Sequence, residues 1–229
     1  MHRKKFRQKY NNFIVEGDKI CREVIQSSQI EIEAILALPY WLETNERALR
    51  VYKEKLISVK PTELKKISAL TTANQVVIIA KQLSWSDRHL NAPADLSLYL
   101  DGLQDPGNLG TVLRMADWFG VSAVYCAPDT VDLYNAKVLQ ASMGAFLRIP
   151  VFYEEFSLLK ERLPHVSTYG MVLGGKNLFE CKLDPQGMIV IGNEGKGVRT
   201  EVLAQLDQQL AIPAHPNSGA ESLNAAMAA

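Results

Sequence analysis

Cysteine is scarce in this 229-residue sequence, no long apolar run occurs, and Lys and Arg balance Asp and Glu at 25 each. Each shortage excludes something. Cys21, Cys126 and Cys181 are odd in number, far apart and free of CxxC spacing, which argues against a disulfide framework or a zinc site. They are expected to be buried thiols in a reducing compartment. No apolar stretch nears the roughly 20 residues that span a bilayer. The basic start, MHRKKFRQKYNN, lacks both the apolar core and the cleavage site of a secretory signal. The expectation is therefore a cytoplasmic protein without a membrane partner. His2, His89, His165 and His215 have neither metal-ligand spacing nor a nucleophile partner, so no metal is expected. Trp41, Trp85 and Trp118 are expected in the core rather than as platforms for bases.

Zero net charge gives no reason to expect a polyanion, but the charge is unevenly placed. Residues 1–90 hold 16 basic against 10 acidic side chains, and residues 91–229 hold 9 against 15. The first part is suited to attract a polyanion, although a solvated basic face explains the excess equally well.

Apolar periodicity divides the chain into two α/β domains. In the first, NNFIVEG, IEAILALP, KLISV and VVIIAKQ read as strands. DKICREVIQSS, WLETNERALRVY and PTELKKISAL read as the intervening helices, the last opened by Pro61. The polar stretch near 84–95, with Asn91, Ala92 and Pro93, reads as a linker, so the domains are predicted at 1–90 and 96–229. The alternation restarts with LSLYLDG, a helix over NLGTVLRMADWFG closed by Gly120, and VSAVYCA. Further strands are predicted at LRIPVF, VSTYGMVL, GMIVIG and QLAIP, with helices near 133–140 and 153–163. This larger domain is expected to hold a mostly parallel sheet, and SLNAAMAA reads as the start of a helix.

Three turns rich in Gly and Asn follow strands: LDGLQDPGNLGTVLRMADWFG (100–120), VIGNEGKGV (190–198) and IPAHPNSGAESLNAAMAA (212–229). Beyond the carboxyl ends of strands in an open sheet, such turns are placed to line a pocket. In the first, Asn108 is expected to cap its helix, with Arg114 near the same end helping to form an anion site. The bland alternative is tight packing alone. In the second, Gly192, Gly195 and Gly197 flank Glu194 and Lys196 and allow close approach to a ligand. GMVLGGK (170–176) matches GxxxxGK, but Asn177 stands where a P-loop needs Ser or Thr for magnesium. DPGNLGT also lacks the dinucleotide fingerprint GxGxxG. ATP and NAD are therefore disfavoured.

Together, the three turns resemble the three motifs of the SpoU, or TrmH, family of RNA 2′-O-ribose methyltransferases, in family order. The first half, from KFRQKYNNFIVEGDKICREVI onward, is similar to the L30e-like RNA-binding domain of many members. The resemblance implies a catalytic domain with a deep trefoil knot, the SPOUT architecture, preceded by a smaller L30e-like α/β domain. It implies S-adenosylmethionine as cofactor, bound by Leu173, Gly174, Gly192, Asn193, Gly195, Ile212 and Leu223. It also implies a homodimer with active sites built across the interface, and a last helix that in the family continues well past Ala229.

The functional polar set implied is Asn108, Arg114, Glu194, Ser222 and Asn224. The activity is methyl transfer to a ribose 2′-hydroxyl of structured RNA, ribosomal rather than transfer RNA. A guanidinium hardly deprotonates, so Arg114 is expected to bind the neighbouring phosphate and stabilise the developing alkoxide, with Asn108 and Glu194 positioning it. The alternative is a non-catalytic RNA-binding protein that keeps the fold.

Overall fold

The computed structural model describes residues 3–70, 74–85 and 95–229. The chain forms two compact units, Met1–Ser84 with Asp132–Leu147, and Trp85–Val131 with Arg148–Ala229. Most of the linker expected near 84–95 lies outside the described residues, as do His2 and His89.

The first unit opens with helix α1 (Lys4–Tyr10), made by the basic segment that the strand and helix pattern leaves unassigned. Strand β1 (Asn12–Glu16), α2 (Asp18–Gln26), β2 (Ile32–Ala37), α3 (Pro39–Thr44) and α4 (Glu46–Leu49) follow. Next come β3 (Leu56–Ser58), α5 (Pro61–Ile67) and β4 (Val76–Lys81). The sheet order is β1-β4-β2-β3, antiparallel except for the β2–β3 pair. Pro61 opens α5, and the Glu63 carboxylate reaches back to the Lys60 N–H at 2.8 Å. Phe13, Val24, Ile35, Trp41 and Ile78 fill the core.

Helix α7 (Ala136–Ser142), which follows α6 (Pro106–Phe119) of the second unit in sequence, packs with this first unit. Tyr134 and Phe146 on either side of it meet the ring of Phe13 at 4.6 and 5.9 Å between centroids. Gln140 Nε2 donates to the carbonyl of Glu16 at 2.6 Å. Arg7, the one buried residue of α1, pairs with Asp132.

The second unit runs β5 (Ser97–Asp101), α6 (Pro106–Phe119), β6 (Ala123–Cys126), β7 (Val151–Tyr153), α8 (Phe156–Arg162) and β8 (Thr168–Asn177). It ends with β9 (Met188–Gly192), α9 (Thr200–Leu203), β10 (Gln208–Ala211) and α10 (Ala225–Ala228). All six strands are parallel in the order β10-β8-β9-β5-β6-β7. The strands β5 and β6 are buried at every residue, which is why they read as continuous apolar runs. Tyr99, Tyr125 and Val190 point to one face with Phe156, Leu159 and Val202. By alternation Leu98, Leu100, Val124 and Ile191 point to the other, and they are buried as well.

Three expectations are corrected. Asp105, not Asn108, is the N-cap of α6: its Oδ1 accepts from the Asn108 N–H at 2.8 Å, and Pro106 takes the first helical position. Trp118 is 84% exposed rather than part of the core, and Trp85 is only partly buried. Cys21 and Cys126 are buried, with burial pushing both thiols up, but Cys181 is half-exposed.

The Arg7–Asp132 pair joins segments 125 residues apart through nearly buried groups, with Nε to Oδ2 at 3.0 Å. Arg7→Ala is expected to lower stability by about 3 kcal/mol, read as a lower urea midpoint; an unchanged midpoint would contradict a structural role for the pair.

Candidate functional site

Strand order reverses at β5. From it the chain moves outward through β6 to β7, then crosses to β8 and inserts β9 between β8 and β5. The carboxyl ends beside this switch are where open α/β sheets hold ligands. Here three segments surround a cleft of about 440 Å³: the bulged part of β8, the loop after β9, and the stretch from Ile212 through α10.

Two close backbone approaches shape it. A Cβ on Gly192 would lie 2.1 Å from the carbonyl carbon of Gly197 and 2.2 Å from the nitrogen of Val198. No other residue fits there, and the loop closes by reciprocal Asn193–Gly197 backbone hydrogen bonds of 3.0 and 2.9 Å. On the other wall, β8 leaves its register with β10 after Gly170 and regains it at Lys176. Gly175 passes so near Leu210 that a Cβ would fall 2.5 Å from backbone. The GxxxxGK match thus lies within a strand, followed by a short 3₁₀ turn rather than the helix that a P-loop requires.

The loop after β9 is tied to the turn after β5 by three side chains. Asn193 Nδ2 donates to the Gly102 carbonyl at 2.8 Å. The Glu194 carboxylate accepts from the backbone N–H groups of Gln104 at 3.1 Å and Asp105 at 2.8 Å, and from Asn108 Nδ2 at 3.1 Å. Arg199 donates from its backbone N–H at 2.7 Å and from Nε at 2.6 Å to Asp101, whose side chain is fully buried. The third segment joins the same network, since Asn224 Nδ2 donates to Asn108 Oδ1 at 2.9 Å while Asn224 Oδ1 caps α10. Burial alone would raise the Glu194 pKa. The donors from Asp105, its own backbone, Gln104 and Asn108 outweigh that and hold it below the ordinary carboxylate value.

Among the anticipated residues, Leu173, Gly192, Asn193, Gly195, Ile212 and Leu223 line the cleft, together with Glu194 and Ser222. Gly174 does not; it adopts φ +81° beside Leu173. Asn108 and Asn224 meet Glu194 through hydrogen bonds. Arg114 stands apart. It is exposed on α6, six residues past Asn108 and so roughly 120° round the helix, with no side-chain hydrogen bond or ion pair among the described residues. The anion site expected beside it at the start of α6 is served by the chain's own Glu194.

Sequence reasoning missed Asp105, Asp101 and Arg199. Asp before Pro was a legible cap signal, whereas a pair 98 residues apart leaves no local trace. Lys196 also lines the cleft, its backbone N–H held by Asn193 Oδ1 at 3.1 Å. Among the described residues no His, Cys, Asp and Glu cluster could hold a metal, and no helix is long and apolar enough to cross a membrane.

Because the folded-state Glu194 pKa is lowered, its contribution to stability is complete above the unfolded-state value and fades as pH falls through the folded-state value. Glu194→Gln is therefore expected to be less stable than the parent at neutral pH, with the gap closing in acid. A gap independent of pH would show that the charge is irrelevant.

Comparison with known proteins bears on this arrangement. Residues 95–229 match the SpoU rRNA Methylase family, and residues 1–78 match the MRM3-like substrate binding domain. The chain is 31% identical, over its whole length and 90% of the relative, to the 23S rRNA (guanosine(2553)-2′-O)-methyltransferase RlmP of Bacillus subtilis. It is 34% identical, over 58% of the chain and 54% of the relative, to the 23S rRNA (guanosine-2′-O-)-methyltransferase RlmB of Neisseria meningitidis. In fold it is similar to an AdoMet-bound rRNA methyltransferase from Sinorhizobium meliloti, with TM-score 0.86, 23% identity, and coverage of 99% of this chain and 87% of that one. The family match spans more than half of the chain and contains all three glycine-rich segments, so this chain belongs to the SpoU, or TrmH, methylase family.

Proposed function

We propose that this protein transfers a methyl group from S-adenosylmethionine to a ribose 2′-hydroxyl of ribosomal RNA. The observation that carries the reading is the strapped, glycine-shaped cleft at the strand switch of a SpoU-family domain. Its size lies within the usual range for small-molecule sites, about 300–1,000 Å³. The chemistry of its walls fits the cofactor. Leu173, Ile212 and Leu223 supply apolar surface for a heterocycle, and Lys196, Ser222 and the backbone of the 193–197 loop supply polar groups for a charged tail. S-adenosylmethionine, when bound, supplies a methyl group on a positively charged sulfur, already activated for transfer without a metal.

The chain's own residues divide the remaining work. Gly192 and Gly175 let the walls close, and Glu194 fixes the two turns against each other, so binding geometry is set before substrate arrives. A carboxylate held anionic by donors from Gln104, Asp105 and Asn108 is a brace and a poor proton acceptor, which assigns Glu194 a positioning role. Asn108 and Asn224 extend the brace to the C-terminal segment. The exposed Arg114 guanidinium is suited to grip a phosphate beside the target ribose and to stabilise charge developing on the hydroxyl oxygen. Ser222, at the cleft wall, is placed to meet cofactor or ribose.

Within one chain Arg114 does not line the cleft, which favours a homodimer in which the arginine of one copy serves the cleft of the other. Helix α10 packs on α6, and Met227, Trp118 and Phe119 on these helices are exposed, giving apolar surface for a second copy. The trefoil knot belongs to the same proposal. Its support is that the chain after β10 returns across the cleft through Ile212 and Leu223 to bond Asn108. The first domain is proposed to hold the RNA, in keeping with its basic excess and its match to a substrate binding domain. A cytoplasmic location belongs to the same proposal, and among the described residues no helix is long and apolar enough to cross a membrane.

Ribose-methylation mapping of total RNA from cells with and without the gene is expected to lose a 2′-O-methyl mark in ribosomal RNA. A mark lost from transfer RNA would move the substrate, and no lost mark would overturn the reading. Arg114→Lys is expected to lower methyl transfer at least tenfold while cofactor affinity stays within twofold, because a lysine cannot give the bidentate phosphate grip. Parental activity in that variant would remove Arg114 from the site.

A further inference from the structure

Helix α1 is unusual in what it exposes. No acidic residue precedes Glu16, and Arg3, Lys4, Lys5 and Lys9 are exposed, with no ion pair among the described residues. Lys5 Nζ lies 5.3 Å from the Phe6 ring centroid, and the same contact recurs one turn later, with Lys9 Nζ 5.2 Å from the centroid of Tyr10. Both distances fall within the roughly 6 Å reach of a cation–π contact. Phe6 and Tyr10 are 37% and 49% exposed. Residues four apart share a helix face, so α1 presents two rings and two lysines as a repeated pair.

The arrangement is fixed in place. Arg7 is held by Asp132, the Arg7 carbonyl accepts from Gln82 Nε2 at 3.1 Å, and Asn11 ends the helix in the left-handed conformation. Yet it is internally unfavourable, because Lys5 and Lys9 repel each other at i,i+4 and α1 carries no carboxylate to relieve them. A merely solvated helix face gains nothing from two exposed rings. A polyanion whose charges are interspersed with flat apolar groups would relieve the repulsion and cover the rings together. Each ring, partly exposed beside its lysine, has surface left to offer a base.

We infer that α1 is a binding strip for unpaired RNA, in which Phe6 and Tyr10 stack on bases while Lys5 and Lys9, with Arg3 and Lys4, meet phosphates. Stacking needs bases outside a duplex, so the strip selects loops or single strands over helices. The inference rests on the RNA-modifying reading above but names a surface far in sequence from the cleft motifs.

The test measures the affinity of the full-length chain for oligouridylate and for a blunt RNA duplex by fluorescence anisotropy across a salt series. Replacing both Phe6 and Tyr10 with Ala is expected to weaken oligouridylate binding about tenfold or more with the salt slope unchanged. Replacing them with Leu, which keeps apolar bulk without a π face, is expected to weaken it similarly. Lys5→Gln with Lys9→Gln is expected to flatten the slope of log affinity against log salt by about 1.4, at about 0.7 per phosphate on single strands. Parental affinity in the Leu variant would reduce the rings to packing and overturn the inference, as would unchanged slopes. Binding to phosphatidylserine vesicles with none to oligouridylate would overturn it too, assigning α1 to a membrane surface. Calorimetry with S-adenosylmethionine separates the two readings. Parental cofactor binding in the α1 variants leaves the cleft intact whatever the strip does. Failure of the parent to bind cofactor, with RNA binding still dependent on α1, sinks the methyl-transfer reading alone.

Discussion

Backbone donors from the turn after β5 converge on one carboxylate, Glu194, and the two glycine-rich turns keep their spacing because that carboxylate stays charged. Around it the dependencies run outward. Asn108 hydrogen-bonds both to Glu194 and to Asn224, so the C-terminal segment is referred to the same anchor. Arg199 grips Asp101 at the carboxyl end of β5, fixing the far side of the loop to the sheet. The loop can be this tight only because Gly192 has no side chain. Loss of the brace would let three segments from distant parts of the sequence move independently, and the cleft would lose its walls before the sheet lost its core.

Much of the fold was legible because its signals are local. Apolar runs such as SLYLD and AVYC are continuous where both faces of a parallel strand are buried, and Gly120 ends α6 where the pattern places it. The three turns stood out by composition, and six of the seven residues that the family resemblance assigned to the cofactor line one cleft. What stayed hidden was non-local or competitive. Asn108 and Asp105 are both good caps, and the one beside Pro106 took the position, freeing the Asn108 amide for Glu194. Packing of α7 with the first unit depends on Phe13 meeting Tyr134 and Phe146, rings more than a hundred residues from it in sequence. The exposure of Trp118 on α6 follows from the face that Leu109, Val112, Leu113 and Ala116 turn inward.

The charge asymmetry acquires a physical sense in this account. The acidic excess of residues 91–229 includes side chains that hold the cleft together, Asp101, Asp105 and Glu194 among them, so it belongs to architecture as much as to surface. The basic excess of residues 1–90 contains Arg7, spent on packing, but otherwise α1 leaves its cations in solvent. One unit is thus built to fix geometry, and the other has charge to offer a polyanion.

The central claim is that closure of the 193–197 loop over Gly192 makes the cofactor site. Titration calorimetry of S-adenosylmethionine into the parent and Gly192→Ala tests it most directly. Saturable one-to-one binding by the parent and its loss in the variant are expected, with both proteins still folded by circular dichroism. Equal binding by the two, or none by the parent, would contradict it.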